Sequence, residues 1–147
     1  MKNLVDTSKT LSLISHIHSR ANDYLRDELK KKGLPDLSSS HGFILYNLSQ
    51  NEKLTMGEIA EKINRDKSTA TILVQKLIHL GFVKTECCTE DSRVKFVRLS
   101  EKGRHFTDAT AEISAGLLTR CYRGFSAAEA ESLTQALLKV ACNFDAP

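Results

Sequence analysis

The sequence predicts a mainly α-helical fold that carries one small β-ribbon, and three observations predict it. Apolar residues recur at three- and four-residue steps through most of the chain, the spacing of one buried helix face. Only two prolines occur in 147 residues, Pro35 and the final Pro147, so almost nothing interrupts a helical backbone. The periodicity changes in a single place, residues 82–99, where two β-prone runs flank a short polar segment.

The elements follow in order. From about Thr10 to Lys32, Ile14, Ile17, Ala21, Tyr24, Leu25 and Leu29 form one face of a first helix. Lys30, Lys31 and Lys32 suit the carbonyl end of its dipole, and Gly33 can take the left-handed conformation that ends it. Leu34 and Pro35 begin a linker. Ser38 to Ser40 can cap a second helix reaching about Leu48, with Phe43, Ile44, Leu45 and Leu48 as its core residues. Thr55-Met56-Gly57-Glu58 has the capping-box spacing, in which the hydroxyl accepts the Glu58 amide and the carboxylate reaches back to the Thr55 amide. The third helix that starts there is short, with Ile59, Ala60 and Ile63 inward, and Asn64-Arg65 makes a turn. Asp66 caps a fourth helix whose Ala70, Leu73, Val74 and Leu77 face the core, leaving Lys67, Ser68, Thr71, Gln75 and His79 outward until Gly81 ends it. Phe82 to Cys88 and Val94 to Leu99 then read as strands joined by Thr89-Glu90-Asp91-Ser92-Arg93. Ser100 caps a fifth helix running to about Arg123. Ser126-Ala127-Ala128-Glu129 is a second capping box, opening a sixth helix with Leu133, Ala136, Leu137, Val140 and Ala141 on one side.

Composition bounds the function. The formal charge is +3, and its placement matters more than its size. Lys and Arg exceed Asp and Glu by three within residues 54–104 and by two before them, whereas acids lead by two after residue 104. The fourth helix and the ribbon therefore lie in the most basic third of the chain, as contact with a polyanion requires. The segment MKNLVDTSKT lacks an apolar signal core and no apolar run approaches spanning length, so a soluble cytoplasmic protein without membrane contact is expected. Cys87, Cys88, Cys121 and Cys142 have no C-x-x-C spacing and are too few for a disulfide scaffold. His16 and His18 point to different sides of one helix, and His41, His79 and His105 lie on separate elements, so no metal site and no cofactor are expected. No nucleophile elbow, phosphate loop or H-E-x-x-H word is present, and the acids show no pairing, which argues against an enzyme.

Residues 54–104 read as helix, tight turn, helix and charged ribbon, the arrangement of a winged helix-turn-helix. Its second helix is the one that enters a DNA major groove. Such a core is too small to cover the apolar stripes of the first, fifth and sixth helices together, and a symmetric dimer of terminal helices is the simplest cover. The chain is thus expected to be one domain of 147 residues. Residues 34–104 would form the DNA-binding core, and residues 1–33 and 105–147 the N- and C-terminal dimerisation helices.

Two words carry a resemblance. Asp66-Lys67-Ser68-Thr69 opens the fourth helix, and Asp91-x-Arg93 precedes Val94-Lys95-Phe96-Val97-Arg98-Leu99-Ser100-Glu101-Lys102-Gly103. With the order of elements they resemble the MarR (multiple antibiotic resistance regulator) family of winged helix-turn-helix transcription factors over nearly the whole length. The resemblance implies a homodimer on a pseudo-palindromic double-stranded operator, with one recognition helix per half-site and one wing per flanking minor groove. Ser68, Thr69, Thr71 and Gln75 are then the candidates for base edges and phosphates, and a Gln amide can pair bidentately with adenine. Arg65, Lys67, Lys76 and Lys95 are phosphate candidates, and Arg93 is expected in a narrowed minor groove. Asp91 resembles the wing aspartate that orients a neighbouring arginine. Ile72 sits where relatives often carry a polar residue, and it either meets a thymine methyl or packs inward.

The resemblance further implies a repressor released by a small-molecule effector held between the terminal helices and the core, with Tyr24, His41, Phe43 and Tyr46 as candidates. Two alternatives remain at this point. One is a redox-responsive regulator using Cys87 or Cys88, although peroxide-sensing relatives carry the reactive cysteine near the first helix. The other is a winged helix that binds protein.

Overall fold

The structure is a computed structural model that describes residues 5–145. The chain divides into two compact units, Met1–Ile113 and Ser114–Pro147. A turn of 3-10 helix, Thr7–Lys9, precedes α1, Thr10–Lys31. The first unit continues with α2, Ser39–Gln50, β1, Leu54–Thr55, α3, Met56–Lys62, and α4, Lys67–His79. It then holds β2, Val83–Cys87, β3, Lys95–Leu99, α5, Glu101–Ala109, and the start of α6, Ala111–Cys121. The second unit contains the rest of α6 and all of α7, Ala127–Asp145. The expected class, mainly helical with a small wing, is the observed one. α1 and α5 lie in the same unit as the helix-turn-helix.

The core of the first unit is built from the periodic positions. Ile44, Leu45 and Leu48 of α2, Ile59 and Ala60 of α3, and Ala70, Val74 and Leu77 of α4 are buried, together with Phe82, Val83, Val97 and Leu99 around the sheet. Phe106 and Ile113 bring α5 and the first turn of α6 into the same cluster. The α1 stripe behaves differently along its length. Leu29 is buried and Tyr24 and Leu25 pack against the core, whereas Leu11, Leu13, Ile14 and Ile17 are exposed. Leu133 and Leu137, the expected inward residues of α7, are also exposed. These stripes keep their helical spacing without cover.

Helix ends are set by local chemistry. α3 stops at Ile63, where Asn64 takes φ +56°, the Asn64 amide donates to the Glu61 carbonyl and the Arg65 amide to that of Ala60. Asn is one of the few non-glycine residues that tolerate this left-handed conformation, and the tight turn into α4 depends on it. Gly81 plays the same part after α4, with φ +78° and the Phe82 amide on the Leu77 carbonyl. The Thr55 capping box forms by half: its hydroxyl accepts the Glu58 amide at 3.1 Å, but the Glu58 carboxylate takes the Thr55 hydroxyl proton and not the amide. The Ser126 box forms in full, with the Ser126 amide on Glu129 at 3.2 Å and the Glu129 amide on the Ser126 hydroxyl at 3.1 Å.

Three expectations are corrected. The helix expected from Ser100 to Arg123 is broken at Thr110, whose φ of −101° and ψ of 1° leave the helical region. The Phe106 carbonyl there accepts both the Thr110 amide at 3.0 Å and the Thr110 hydroxyl at 2.9 Å. Phe43, expected in the core of α2, is exposed and lies parallel to the exposed Tyr46 ring, 6.2 Å between centroids. It sits one residue before the buried pair Ile44 and Leu45, on the opposite side of the helix. Finally, β1 adds a third strand that no sequence pattern marks, since two residues are too few to show alternation.

The sheet order is β1-β3-β2, all antiparallel. Leu54 pairs with Val97, and Val83 to Cys87 pair with Leu99 to Lys95. β1 thereby fixes the base of the wing to the start of α3. Across its outer side Arg98 bridges Glu86 at 3.4 Å and Glu52 at 3.8 Å, and the Lys53 ammonium lies 4.3 Å from the Phe96 ring centre. α5 locks onto the end of α4: the Lys102 ammonium donates to the Leu80 carbonyl at 2.9 Å and the Ser100 hydroxyl to the Gly81 carbonyl. The Phe82 and Phe106 rings stack at 4.3 Å beneath this contact. The carbonyls just past the end of α4 are thus held by the segment that follows the wing.

Candidate nucleic-acid interface

α4 presents its polar face because its apolar face is fully used. Ala70, Val74 and Leu77 are completely buried, so the opposite ridge must face outward. That ridge is Ser68, Ile72, Gln75 and His79, at successive steps of four, three and four residues, and every one is exposed. Lys67 is exposed on one flank, and Thr69 and Thr71 are half-buried beside it.

The start of α4 is organised by Asp66. Its carboxylate accepts the Thr69 amide at 2.7 Å and the Ser68 hydroxyl at 2.7 Å, and these bonds hold its pKa down to about 2. The Ser68 hydroxyl is therefore oriented with its oxygen lone pairs free toward the outside. Thr71 donates its hydroxyl proton to the Lys67 carbonyl at 2.8 Å and keeps only acceptor capacity. The Gln75 side chain retains both a donor and an acceptor group on the exposed ridge. Arg65 is exposed in the turn just before the helix.

Lys76 is placed differently from the other expected phosphate contacts. Its ammonium donates to the Asp36 carbonyl at 2.8 Å, in the linker between α1 and α2. The Asp36 carboxylate in turn accepts from Arg26 of α1 at 3.2 Å. All four cations are exposed, and Lys76 differs in tying α4 to the rest of its unit.

At the wing, Asp91 grips Arg93. The carboxylate accepts the Arg93 amide at 3.0 Å, Nε at 3.1 Å and Nη2 at 3.2 Å, while the arginine side chain remains 89% exposed. The guanidinium holds the Asp91 carboxyl below its usual range, so the pair stays ionised near neutrality. The fork is thus aimed outward on a short turn closed by the Cys88 amide on the Val94 carbonyl at 2.8 Å. Cys87 is exposed and Cys88 half-buried, both as free thiols in this turn-and-ribbon backbone, and the redox alternative is not favoured.

The four effector candidates do not form one cavity. His41 is 7% exposed, and its Nδ1 accepts the Ser38 amide at 3.1 Å as part of the α2 cap. Tyr24 packs against the core, while Phe43 and Tyr46 stack on the open side of α2. A shallow hollow of about 340 Å³ lies elsewhere, lined by Arg26, Lys30, Gly33, Leu34 and Asp36. Among the described residues no group of three or more His, Cys, Asp or Glu is gathered closely enough to hold a metal ion, and no helix is long and apolar enough to cross a membrane.

Burial pushes the His41 pKa down to about 4, with the Lys76 ammonium adding to the effect and Asp36 opposing it. The unfolded chain holds this proton up to about 6.5, so unfolding takes up a proton anywhere between the two values. The stability contributed by neutral His41 is complete above that window and is lost as pH falls through it. The urea midpoint should therefore drop from pH 7 to pH 5, and drop less in His41→Asn. Parallel pH profiles for the two proteins would show that His41 is not responsible.

A buried helix-turn-helix with an exposed polar ridge, followed in register by an arginine-tipped ribbon, defines a winged helix-turn-helix protein. Residues 37–95 match the model of the MarR family. It is 27% identical over 132 residues to the HTH-type transcriptional repressor IacR of Pseudomonas putida, covering 90% of this chain and 77% of the relative. Its fold is similar to that of Bordetella bronchiseptica BpsR, whose DNA binding is regulated by 6-hydroxynicotinic acid, with a TM-score of 0.76 at 14% identity, covering 95% of this chain and 98% of that one. It is also similar to a cysteine-to-serine variant of Escherichia coli MarR complexed with operator DNA, with a TM-score of 0.71 at 18% identity, covering 92% and 98%.

The sequence leaves Ile72 either against a thymine methyl or packed inward, and the structure places it on the outer ridge. The available signal was its spacing, four residues after Ser68 and three before Gln75.

Proposed function

We propose that this protein is a transcriptional regulator that binds a pseudo-palindromic double-stranded DNA operator as a homodimer and releases it when a small-molecule effector binds. The observation that carries the reading is the outward ridge of α4, polar except at Ile72 and backed by fully buried Ala70, Val74 and Leu77, next to a wing that presents Arg93. α4 enters the major groove, with Ser68, Thr69, Thr71 and Gln75 toward bases and adjoining phosphates. Arg65, Lys67 and Lys95 contact phosphates, and Arg93 enters the minor groove beside them. The naming of IacR as a repressor supports repression as the mode of action.

The uncovered apolar residues of α1 and of α7 support the homodimer, because each stripe keeps its spacing and lacks a cover. The effector reading rests on the regulation named for BpsR and on the exposed Phe43–Tyr46 pair, which offers a flat aromatic surface to a planar ligand. A ligand that prefers a half-site spacing unsuited to successive major grooves would lower DNA affinity by population shift. No enzymatic role is assigned.

Gln75 and Lys67 separate base reading from phosphate binding. Gln75→Ala should change which sequences are selected from a randomised duplex pool. Lys67→Ala should weaken all sequences alike and lower the salt slope by about 1. If Gln75→Ala selects the same sequences as the unaltered protein, Gln75 does not read bases.

A further inference from the structure

We propose that Ile72 is a specificity-determining residue that recognises the 5-methyl group of a thymine in each operator half-site. The proposal rests on the DNA-binding reading above and adds to it the identity of one recognised base. Ile72 is 70% exposed and stands in the middle of the outer ridge of α4, with Ser68 one turn before it and Gln75 one turn after.

Neither the fold nor the helix explains an isoleucine there. Its side chain contributes nothing to the buried cluster, which α4 supplies through Ala70, Val74 and Leu77. A β-branched residue also forms helix less readily than the Lys, Gln or Arg that an exposed mid-helix position favours. A single exposed apolar residue would carry little weight by itself. Its position gives it meaning: it occupies the centre of the surface that faces base edges.

In the major groove only thymine among the four bases presents an apolar group, the methyl at C5. Isoleucine offers no hydrogen-bond donor or acceptor. A cytosine amine or a guanine O6 set against it would lose water without gaining a partner. Thymine alone gains. The flanking Ser68 hydroxyl and Gln75 amide can bond to neighbouring base edges, which fixes the register in which the methyl meets the side chain. Because the stem is stiff at χ1, the contact is presented in one geometry.

The test removes the methyl and nothing else. The full-length protein is first used to select a binding sequence from a randomised duplex pool. Each thymine of the selected half-site is then replaced by deoxyuridine, one position at a time, and affinities are measured for the unaltered protein and for Ile72→Ala. One thymine per half-site should be sensitive, losing about fourfold in affinity for one methyl and roughly fifteenfold when both half-sites are changed, as burial of a single CH₂-sized group predicts. Ile72→Ala should bind the thymine duplex more weakly by a similar factor and show no further loss with deoxyuridine. Ile72 is exposed, so the variant folds, as its unfolding midpoint will show.

Two results would overturn the proposal alone: no thymine whose methyl matters, or a methyl effect that persists unchanged in Ile72→Ala. Failure of the protein to enrich any sequence would instead overturn the DNA-binding reading, and this proposal with it.

Discussion

Arg93→Ala is expected to weaken DNA binding by about 1–3 kcal/mol, roughly fivefold to 150-fold, without loss of folding stability. The size follows from what the side chain already has in the free protein. Asp91 holds the guanidinium through Nε and Nη2 and also takes the Arg93 amide, so the fork is oriented before it meets DNA and little rotamer freedom is lost on binding. The narrow minor groove of A·T-rich DNA concentrates negative potential where an inserted arginine gains most. The same side chain is 89% exposed and among the described residues bonds to Asp91 alone, so the core is indifferent to its removal. Fluorescence anisotropy at one fixed salt concentration, with thermal melts of both proteins, checks both halves of the prediction. Equal affinities would remove the wing from the interface.

Gly103→Ala is expected to lose about 3 kcal/mol of folding stability, the upper part of the range for a carbon forced into a packed interior. A Cβ at Gly103 would stand 1.9 Å from the Phe82 carbonyl oxygen, a backbone atom that cannot rotate away. That carbonyl already accepts the Ser100 amide at 3.0 Å, and Ser100 in turn caps α5 through the Gly103 amide. Relief would require α5 to lift from the end of α4, breaking the Lys102 and Ser100 bonds to the Leu80 and Gly81 carbonyls and parting the Phe82–Phe106 stack. Urea denaturation measures the loss, and a midpoint within error of the parent would mean that this contact is looser than the structure has it. The glycine in the Glu101-Lys102-Gly103 word thus has a packing reason, independent of any role in DNA contact.

Much of the fold could be read from sequence because local signals and tertiary packing agree. Asp66, Ser100 and Ser126 each cap the helix expected to follow them, and Asn64 and Gly81 each make the turn that their conformational freedom permits. The features that escaped depend on contacts or on backbone angles that spacing does not encode. β1 exists only because Leu54 and Thr55 meet Val97 and Phe96, more than forty residues away. The break at Thr110 is concealed by an apolar pattern that continues through Phe106 to Ile113. Phe43 looked like core because it is large and apolar, yet helix geometry gives that side of α2 to Ile44, Leu45 and Leu48.

The candidate site divides in the same way. The outward placement of Ser68 and Gln75 follows from the 3.6-residue period alone, and the Asp91–Arg93 grip was legible as a two-residue word. The link from Lys76 through Asp36 to Arg26 was not legible, because it joins α4 to a linker forty residues earlier. Nor does any sequence pattern reveal that His41, set in the cap of α2, lies on a different side of the helix from Phe43 and Tyr46.

The most direct test of the DNA-binding account is the affinity of the purified protein for a duplex from the promoter upstream of its own gene, measured across a salt series with unrelated duplex as competitor. The account predicts that the promoter duplex is bound by a dimer in preference to the competitor, and that the logarithm of the affinity falls steeply and linearly with the logarithm of salt concentration. Weak binding of both duplexes, with no dependence on salt, would contradict it.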